Sequence, residues 1–406
     1  MHKDNRITVL YVHANNRDIG GADYCLFKLA AELDRNVFRP VVCLSEKTEV
    51  LDLYKNEGIK TYLIDMERIK KSKNPFYLTK LLLKFIPTVH GIRKIIKQEN
   101  VNLVHGNDLL DIYGPVAART SHVPALQHCR MILPKSSILK YLLTHVTYYI
   151  NNTMVVISEG VRDAMYPFAN KTNEPKITVC HDWFDFDSIG HGASSSDIRQ
   201  ELSIDDGACL IGVVGRLEPW KGQHVFLKAA NIVAKEFPSA VFLIVGGAVQ
   251  GRYRENYKAN LESMAIQFGI SDRVIFTGHR NDISDIMSSL DIFVLSSVTP
   301  EPLGQVVMEA GACGKPAIVS DAGGPPEIIT HGKTGCLYPI GDHKQLAKNI
   351  IHLLKNPIIA SQMGVAAKKK IEKSFNKKAL SERIMQLYTK LEQTEYSLFS
   401  KGDEDR

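Results

Sequence analysis

Among the 7 cysteines there is no Cys-x-x-Cys pair. An odd count without that spacing gives neither a disulfide framework nor a zinc cluster. Cys43, Cys129, Cys180 and Cys209 sit inside apolar runs, so buried, reduced thiols and a cytoplasmic setting are expected. No uninterrupted apolar run reaches the roughly 18 residues that span a bilayer; even 141–157 is broken by His145, Asn151 and Asn152. The opening MHKDNRITVLYVHANN has an apolar run too short for a secretory signal, and none is expected. Gly-x-Gly-x-x-Gly and Gly-x4-Gly-Lys-Ser/Thr are both absent, which argues against a dinucleotide fingerprint and a P-loop. A large charge excess is missing too: +6 over 406 residues does not imply nucleic-acid binding.

What is present is ordinary globular material, 44% hydrophobic and 23% charged, in a chain long enough for about two domains. Short β-branched runs alternate with helical patterns. Strands are expected at 7–12, 40–44, 61–64, 102–105, 125–128, 154–157 and 176–180, with a helix at 22–33. A second series follows at 209–214, 241–245, 274–276, 292–295 and 317–319. Such alternation predicts parallel sheets covered on both faces. The Ser-, Gly- and Asp-rich stretch 183–203 reads as a linker. The expected architecture is α/β, two tandem Rossmann-like domains facing a cleft, with bounds at 1–185 and 186–375.

The stretch 299–329, TPEPLGQVVMEAGACGKPAIVSDAGGPPEII, concentrates the chemistry. Pro300 and Pro302 bracket Glu301 in a turn, and the apolar-periodic run after Gly304 predicts a helix carrying Glu309. A helix opening after a tight turn offers unpaired N–H groups and a positive dipole end to an anion. Glu309 is then placed to meet ribose hydroxyls. Upstream, Gly215-Arg-Leu-Glu-Pro-Trp-Lys-Gly222 sets Arg216 and Lys221 at a strand end, where both cations can project into a crevice. A surface ion pair on a turn and solvated helix glutamates are the competing readings.

The Glu-x7-Glu spacing, the following GKPAIVSDAGGPPEII and the GRLEPWKG segment together resemble the family 4 glycosyltransferases (glycosyl transferases group 1), retaining enzymes of GT-B architecture. The resemblance implies that Arg216 and Lys221 face the diphosphate of a UDP- or GDP-linked sugar. It implies that Glu301 holds the sugar hydroxyls with backbone N–H groups of Leu303, Gly304 and Gln305, and that Glu309 joins the donor site. Gly20 and Gly21 stand where family members carry a Gly-Gly near the donor, and His128 stands where they carry a histidine near the anomeric centre. The catalytic set so implied is His128, Glu301, Arg216 and Lys221. His105 is a second cleft-facing histidine, Arg130 a candidate acceptor-phosphate contact and Arg280 a candidate base contact. The last helix, 376–396, is expected to cross back onto the first domain. Family members often read Asn-Gly-Val-Asp where this chain has His181-Asp-Trp-Phe-Asp185, so hinge contacts are expected to differ.

The resemblance implies transfer with retention to a glycan or lipid-linked acceptor, in surface polysaccharide or glycolipid synthesis, with neither metal nor cofactor. Asp185-Phe-Asp187 matches a metal-binding Asp-x-Asp, but in the linker it reads as chance. Residues 67–100 interleave Lys and Arg with Phe, Leu and Ile, which reads either as a segment for an anionic membrane surface, with peripheral attachment to the inner face of the cytoplasmic membrane, or as a solvated helix face. The alternatives in function are a GT-B sugar-nucleotide epimerase and a catalytically silent sugar-binding scaffold. Neither donor sugar nor acceptor is encoded legibly.

Overall fold

The computed structural model describes residues 5–14, 20–67, 69, 74, 76–133, 138–169, 176–186, 195–247 and 252–404. Its internal contacts divide the chain into two units, Met1–Asp182 with Lys378–Arg406, and Trp183–Lys377.

The first unit is built on seven strands, β1 (Ile7–His13), β2 (Phe38–Leu44), β3 (Lys60–Leu63), β4 (Leu103–Asn107), β5 (Ala125–Cys129), β6 (Thr153–Val156) and β7 (Ile177–Val179). They pair in parallel in the order β3-β2-β1-β4-β5-β6-β7. Val9 to Val12 are fully buried, because helices on both faces leave no polar side for a central parallel strand. The long last helix, Lys377–Glu404, belongs to this unit. Its Tyr388 is fully buried and packs edge-on against Tyr11, Phe38 and His105.

The second unit repeats the plan with β8 (Cys209–Val214), β9 (Ala240–Val245), β10 (Val274–Gly278), β11 (Ile292–Leu295), β12 (Ala317–Ser320) and β13 (Gly335–Tyr338), in the order β10-β9-β8-β11-β12-β13. Its core gathers Ile211, Phe226, Phe242, Ile244, Val294 and Ile318 beneath the helices Gln223–Glu236 and His343–Lys355. In each sheet the strand order reverses beside the first strand, between β1 and β4 and between β8 and β11. Ligands of such sheets bind beyond the strand carboxyl ends at this reversal.

Within the stretch expected as a linker, described residues are built into the fold. Trp183 and Phe184 are buried, Phe184 N–H donates to the Phe375 carbonyl at 2.9 Å, and a helix occupies Ser195–Glu201. Two large aromatic side chains outweigh the polar composition around them. Asp187 of the Asp-x-Asp match lies outside the described residues, as do Arg68, Lys70, Lys71 and Lys73 of the basic segment.

Candidate functional site

The segments leaving β8 and β11 flank the reversal of the second sheet. After β8 the chain turns through Gly215 and Arg216 into the short 3-10 turn Pro219–Lys221, then enters the helix Gln223–Glu236. After β11 it passes Ser296 and Ser297 and reaches the Pro300–Pro302 turn with Glu301 at its centre.

These two segments bring Lys221 and Glu301 together. Lys221 Nζ lies 2.6 Å from Glu301 Oε1, and Ser297 Oγ donates to the same oxygen at 2.6 Å. Both partners are largely buried, with side chains 17% and 5% exposed. The backbone is braced as well, since Ser296 Oγ donates to the Lys221 carbonyl at 3.0 Å. The Lys221 ammonium also sits 4.3 Å from the Trp220 ring centroid, a cation–π contact. Trp220 Nε1 donates to Glu218 Oε2 at 2.5 Å. Arg216 Nη2 lies 3.5 Å from that oxygen while its side chain stays 62% exposed. The cluster therefore presents one held ammonium, one accessible guanidinium and one carboxylate with an oxygen already shared between two donors. Ser296, Ser297, Glu218 and Trp220 were not singled out from sequence; the Ser-Ser directly after an apolar strand was the available signal.

The Glu301 turn rests on the Gly-Gly-Pro segment. Gly324 N–H donates to the Glu301 carbonyl at 2.9 Å, and Gly323 forms an isolated parallel bridge with Glu301. Gly323 has a φ of +77°, and a β-carbon there would lie 2.0 Å from the Glu301 carbonyl oxygen, so only glycine allows this approach. Leu303 is buried, Gly304 is the N-cap of the helix Gln305–Ala312, and Glu309 lies half-buried in its fifth position.

In the first unit, Gly20 and Gly21 open the helix Gly21–Ala31 as expected. His128, fourth of five residues in β5, is 3% exposed, and neither ring nitrogen has a hydrogen-bond partner among the described residues. Burial, then the Arg130 charge and His105, hold its pKa well below the ordinary histidine value, so it is neutral.

Three expectations need correction. His105 does not end its strand: it is the middle residue of β4, fully buried, with Nδ1 2.6 Å from Tyr388 Oη, because its side chain faces the covering last helix. Arg130 is not a surface cation for an acceptor phosphate. It is buried, pairs with Asp182 at 3.1 Å and donates to Asn107, and a guanidinium so satisfied braces the ends of β4 and β5. Arg280 is taken up by Glu201 (2.5 and 2.9 Å) and Asp282 (2.8 and 2.5 Å), bonds that raise its pKa further.

Residues 194–370 match the family glycosyl transferases group 1. Spore coat protein SA of Bacillus subtilis is 32% identical over 199 residues, 48% of this chain and 52% of that protein. A GDP-mannose-dependent monoacylated alpha-(1-6)-phosphatidylinositol monomannoside mannosyltransferase of Corynebacterium glutamicum is 33% identical over 47% of this chain and 49% of its own. The UDP-Gal:alpha-D-GlcNAc-diphosphoundecaprenol alpha-1,3-galactosyltransferase of Escherichia coli is 24% identical over 76% of this chain and 80% of its own. The chain thus spans about half the length of two of these three curated relatives. Among solved structures, Anabaena Alr3699/HepE in complex with UDP and glucose superposes with a TM-score of 0.80 at 23% identity, over 95% of this chain and 100% of that one. WaaG, a glycosyltransferase of lipopolysaccharide biosynthesis, superposes at 0.67 and 15% identity, over 94% of this chain and 99% of that one. The two parallel sheets thus share the GT-B fold of these solved structures, and the match to the glycosyl transferases group 1 lies in the second unit, at residues 194–370.

Proposed function

We propose that this protein transfers a hexose-type sugar, with retention, from a UDP- or GDP-linked donor to a glycan or lipid-linked acceptor in surface polysaccharide or glycolipid synthesis. The Lys221–Glu301 pair carries the reading. At a strand reversal it joins a cation suited to a diphosphate with a carboxylate suited to sugar hydroxyls. Arg216 and Lys221 offset the charge that builds on the departing diphosphate. Glu301 and the backbone N–H groups of Leu303, Gly304 and Gln305 orient the sugar, and Glu309 takes the ribose. In the first unit, Gly20, Gly21 and His128 are assigned to the sugar end. The bond from the anomeric carbon to the diphosphate oxygen breaks, the acceptor oxygen bonds to that carbon on the same face, and the acceptor proton passes to the leaving phosphate. The reading needs no metal, cofactor or protein general base. The relatives named for UDP-Gal and GDP-mannose donors and for lipid-linked acceptors support the substrate classes.

Turnover of a UDP- and GDP-sugar panel with an acceptor mixture tests it. Glu301→Ala is expected to lower transfer about 100-fold. Epimerised or hydrolysed donor as the sole product would instead favour the epimerase reading, and binding without any turnover the silent scaffold.

A peripheral membrane site is the second proposal. On the helix Phe76–Gln98, Leu81, Phe85, Val89 and Ile92 face the core, while Phe76, Leu82, Leu83 and Ile86 remain 63–77% exposed. The helix Ile138–Ile150 adds exposed Tyr141, Leu142 and Tyr149. Both helices touch Tyr113–Arg119. Together they carry Lys80, Lys84, Arg93, Lys94, Lys97 and Lys140 and no carboxylate. Apolar side chains among cations suit an anionic lipid surface. No helix among the described residues is long and apolar enough to cross a membrane. Cosedimentation with phosphatidylglycerol vesicles at low salt is expected, and loss of binding in Leu83→Glu/Ile86→Glu; no binding by the unaltered protein would refute the site.

A further inference from the structure

The reversal of the first sheet holds a buried charged network that the assignments above leave unused. His13 ends β1 and is 7% exposed. Its Nε2 lies 3.0 Å from Asp23 Oδ1, in the first turn of the helix Gly21–Ala31. Its Nδ1 lies 2.7 Å from Asp111 Oδ2 and 3.2 Å from the Asn107 carbonyl oxygen, at and beyond the end of β4. An ionised carboxylate only accepts, so each ring nitrogen must carry a hydrogen, and the ring is an imidazolium held between two carboxylates. The second oxygen of each carboxylate is also engaged. Asp111 Oδ1 accepts from Ala14 N–H at 3.0 Å, and Asp23 Oδ2 accepts from Gly20 N–H at 2.9 Å. One ring thereby ties together the two backbone positions that bracket residues 15–19, and one of them is the first glycine of the Gly20-Gly21 pair.

So much buried charge is an expensive way to stabilise a fold, since apolar residues of similar volume do as well or better. What the network supplies is position. Asp23 cannot shift without losing His13, and His13 cannot shift without losing Asp111. We propose that His13 is a positioning residue, which by bridging Asp23 and Asp111 fixes Ala14 and Gly20 and holds the Gly20-Gly21 backbone in the conformation that receives the sugar end of the donor. This rests on the transferase reading above. Glycine places no side chain between its backbone and a ligand and has none to hold it in place, so the constraint has to come from outside the pair.

The test separates the two readings. Asp23→Leu keeps roughly the size of the side chain and leaves both Gly20 N–H and His13 Nε2–H without their acceptor. The triple variant His13→Gln/Asp23→Asn/Asp111→Asn removes all three charges at nearly constant volume. Nucleotide affinity, measured by calorimetric titration with UDP and GDP, reads Arg216, Lys221 and Glu309 in the second unit and is expected to stay within about twofold. With the preferred donor, kcat is expected to fall about 10- to 100-fold in both variants, the effect of a small misplacement of a positioning group. A folded variant of either kind with unchanged kcat would overturn the proposal. If the triple variant does not fold, Asp23→Leu alone decides. Absence of turnover in the unaltered protein would instead refute the transferase reading, and equal loss of nucleotide affinity and kcat would show a general structural role and overturn the proposal as well.

Discussion

His13 shows how burial and pairing compete at a single residue. Burial works against its charge, but Asp111 and Asp23 override it and lift the pKa to about 10. The folded value lies above the ordinary one near 6.5, so the network's contribution to stability is fully present below about pH 6.5 and is lost as pH rises through about 10. Unfolding free energy is therefore expected to decline between these limits, and urea titrations from pH 6 to 10 would show that slope reduced in the triple neutral variant. An unchanged slope would assign the alkaline loss to another group. Sequence reasoning passed over His13, because a histidine at a strand end has no readable partner until the fold brings in Asp111, which is 98 positions away. The same blindness affected Arg130 and Arg280. A cation near a strand end looks available, and only the contacts show Asp182 and Glu201 already holding it. Lys221 and Glu301 were legible, because each lies in a short motif whose turn residues fix its place.

At the scale of elements, β-branched runs such as the CLIGVV of β8 and the IFVL of β11 announced themselves. The strand β13, GCLY, did not, since four residues opening on glycine carry no period. Composition also misled at 183–203, where buried Trp183 and Phe184 sit among polar neighbours. In the sequence the Gly-Gly-Pro segment stands only as part of the motif that carries the resemblance, and its contact with Glu301 is the part only the fold reveals. That contact predicts a contrast. Gly323→Ala meets the Glu301 carbonyl and should cost more than about 2 kcal/mol while lowering transfer. Gly314→Ala has a comparable φ of +71° but open space around its β-carbon. It should cost only about 1 kcal/mol and leave transfer intact. Both tryptophans, Trp183 and Trp220, lie in the second unit, so urea unfolding followed by tryptophan fluorescence reads that unit directly. Equal costs for the two substitutions would mean that the Glu301 turn does not depend on this approach.

For the whole molecule, the chain returns to its beginning: the last helix completes the first unit, and Tyr388 seals Tyr11 and His105. That return was expected from family resemblance and not from periodicity, since a basic amphipathic helix reads the same wherever it packs. The two strand orders were likewise inaccessible from local pattern, because which strands neighbour one another is settled by crossovers rather than by any single run. The family match covers residues 194–370, and the strongest chemical assignment lies within it, at Lys221 and Glu301. Trp220 stacks on Lys221, so a diphosphate arriving there should change tryptophan emission. The most direct measurement is a fluorescence titration with UDP- and GDP-sugars, repeated on Lys221→Ala. A saturable change with at least one donor, weakened about 100-fold or more in the variant, is the predicted result. No response to any donor, or equal affinity in the two proteins, would contradict it.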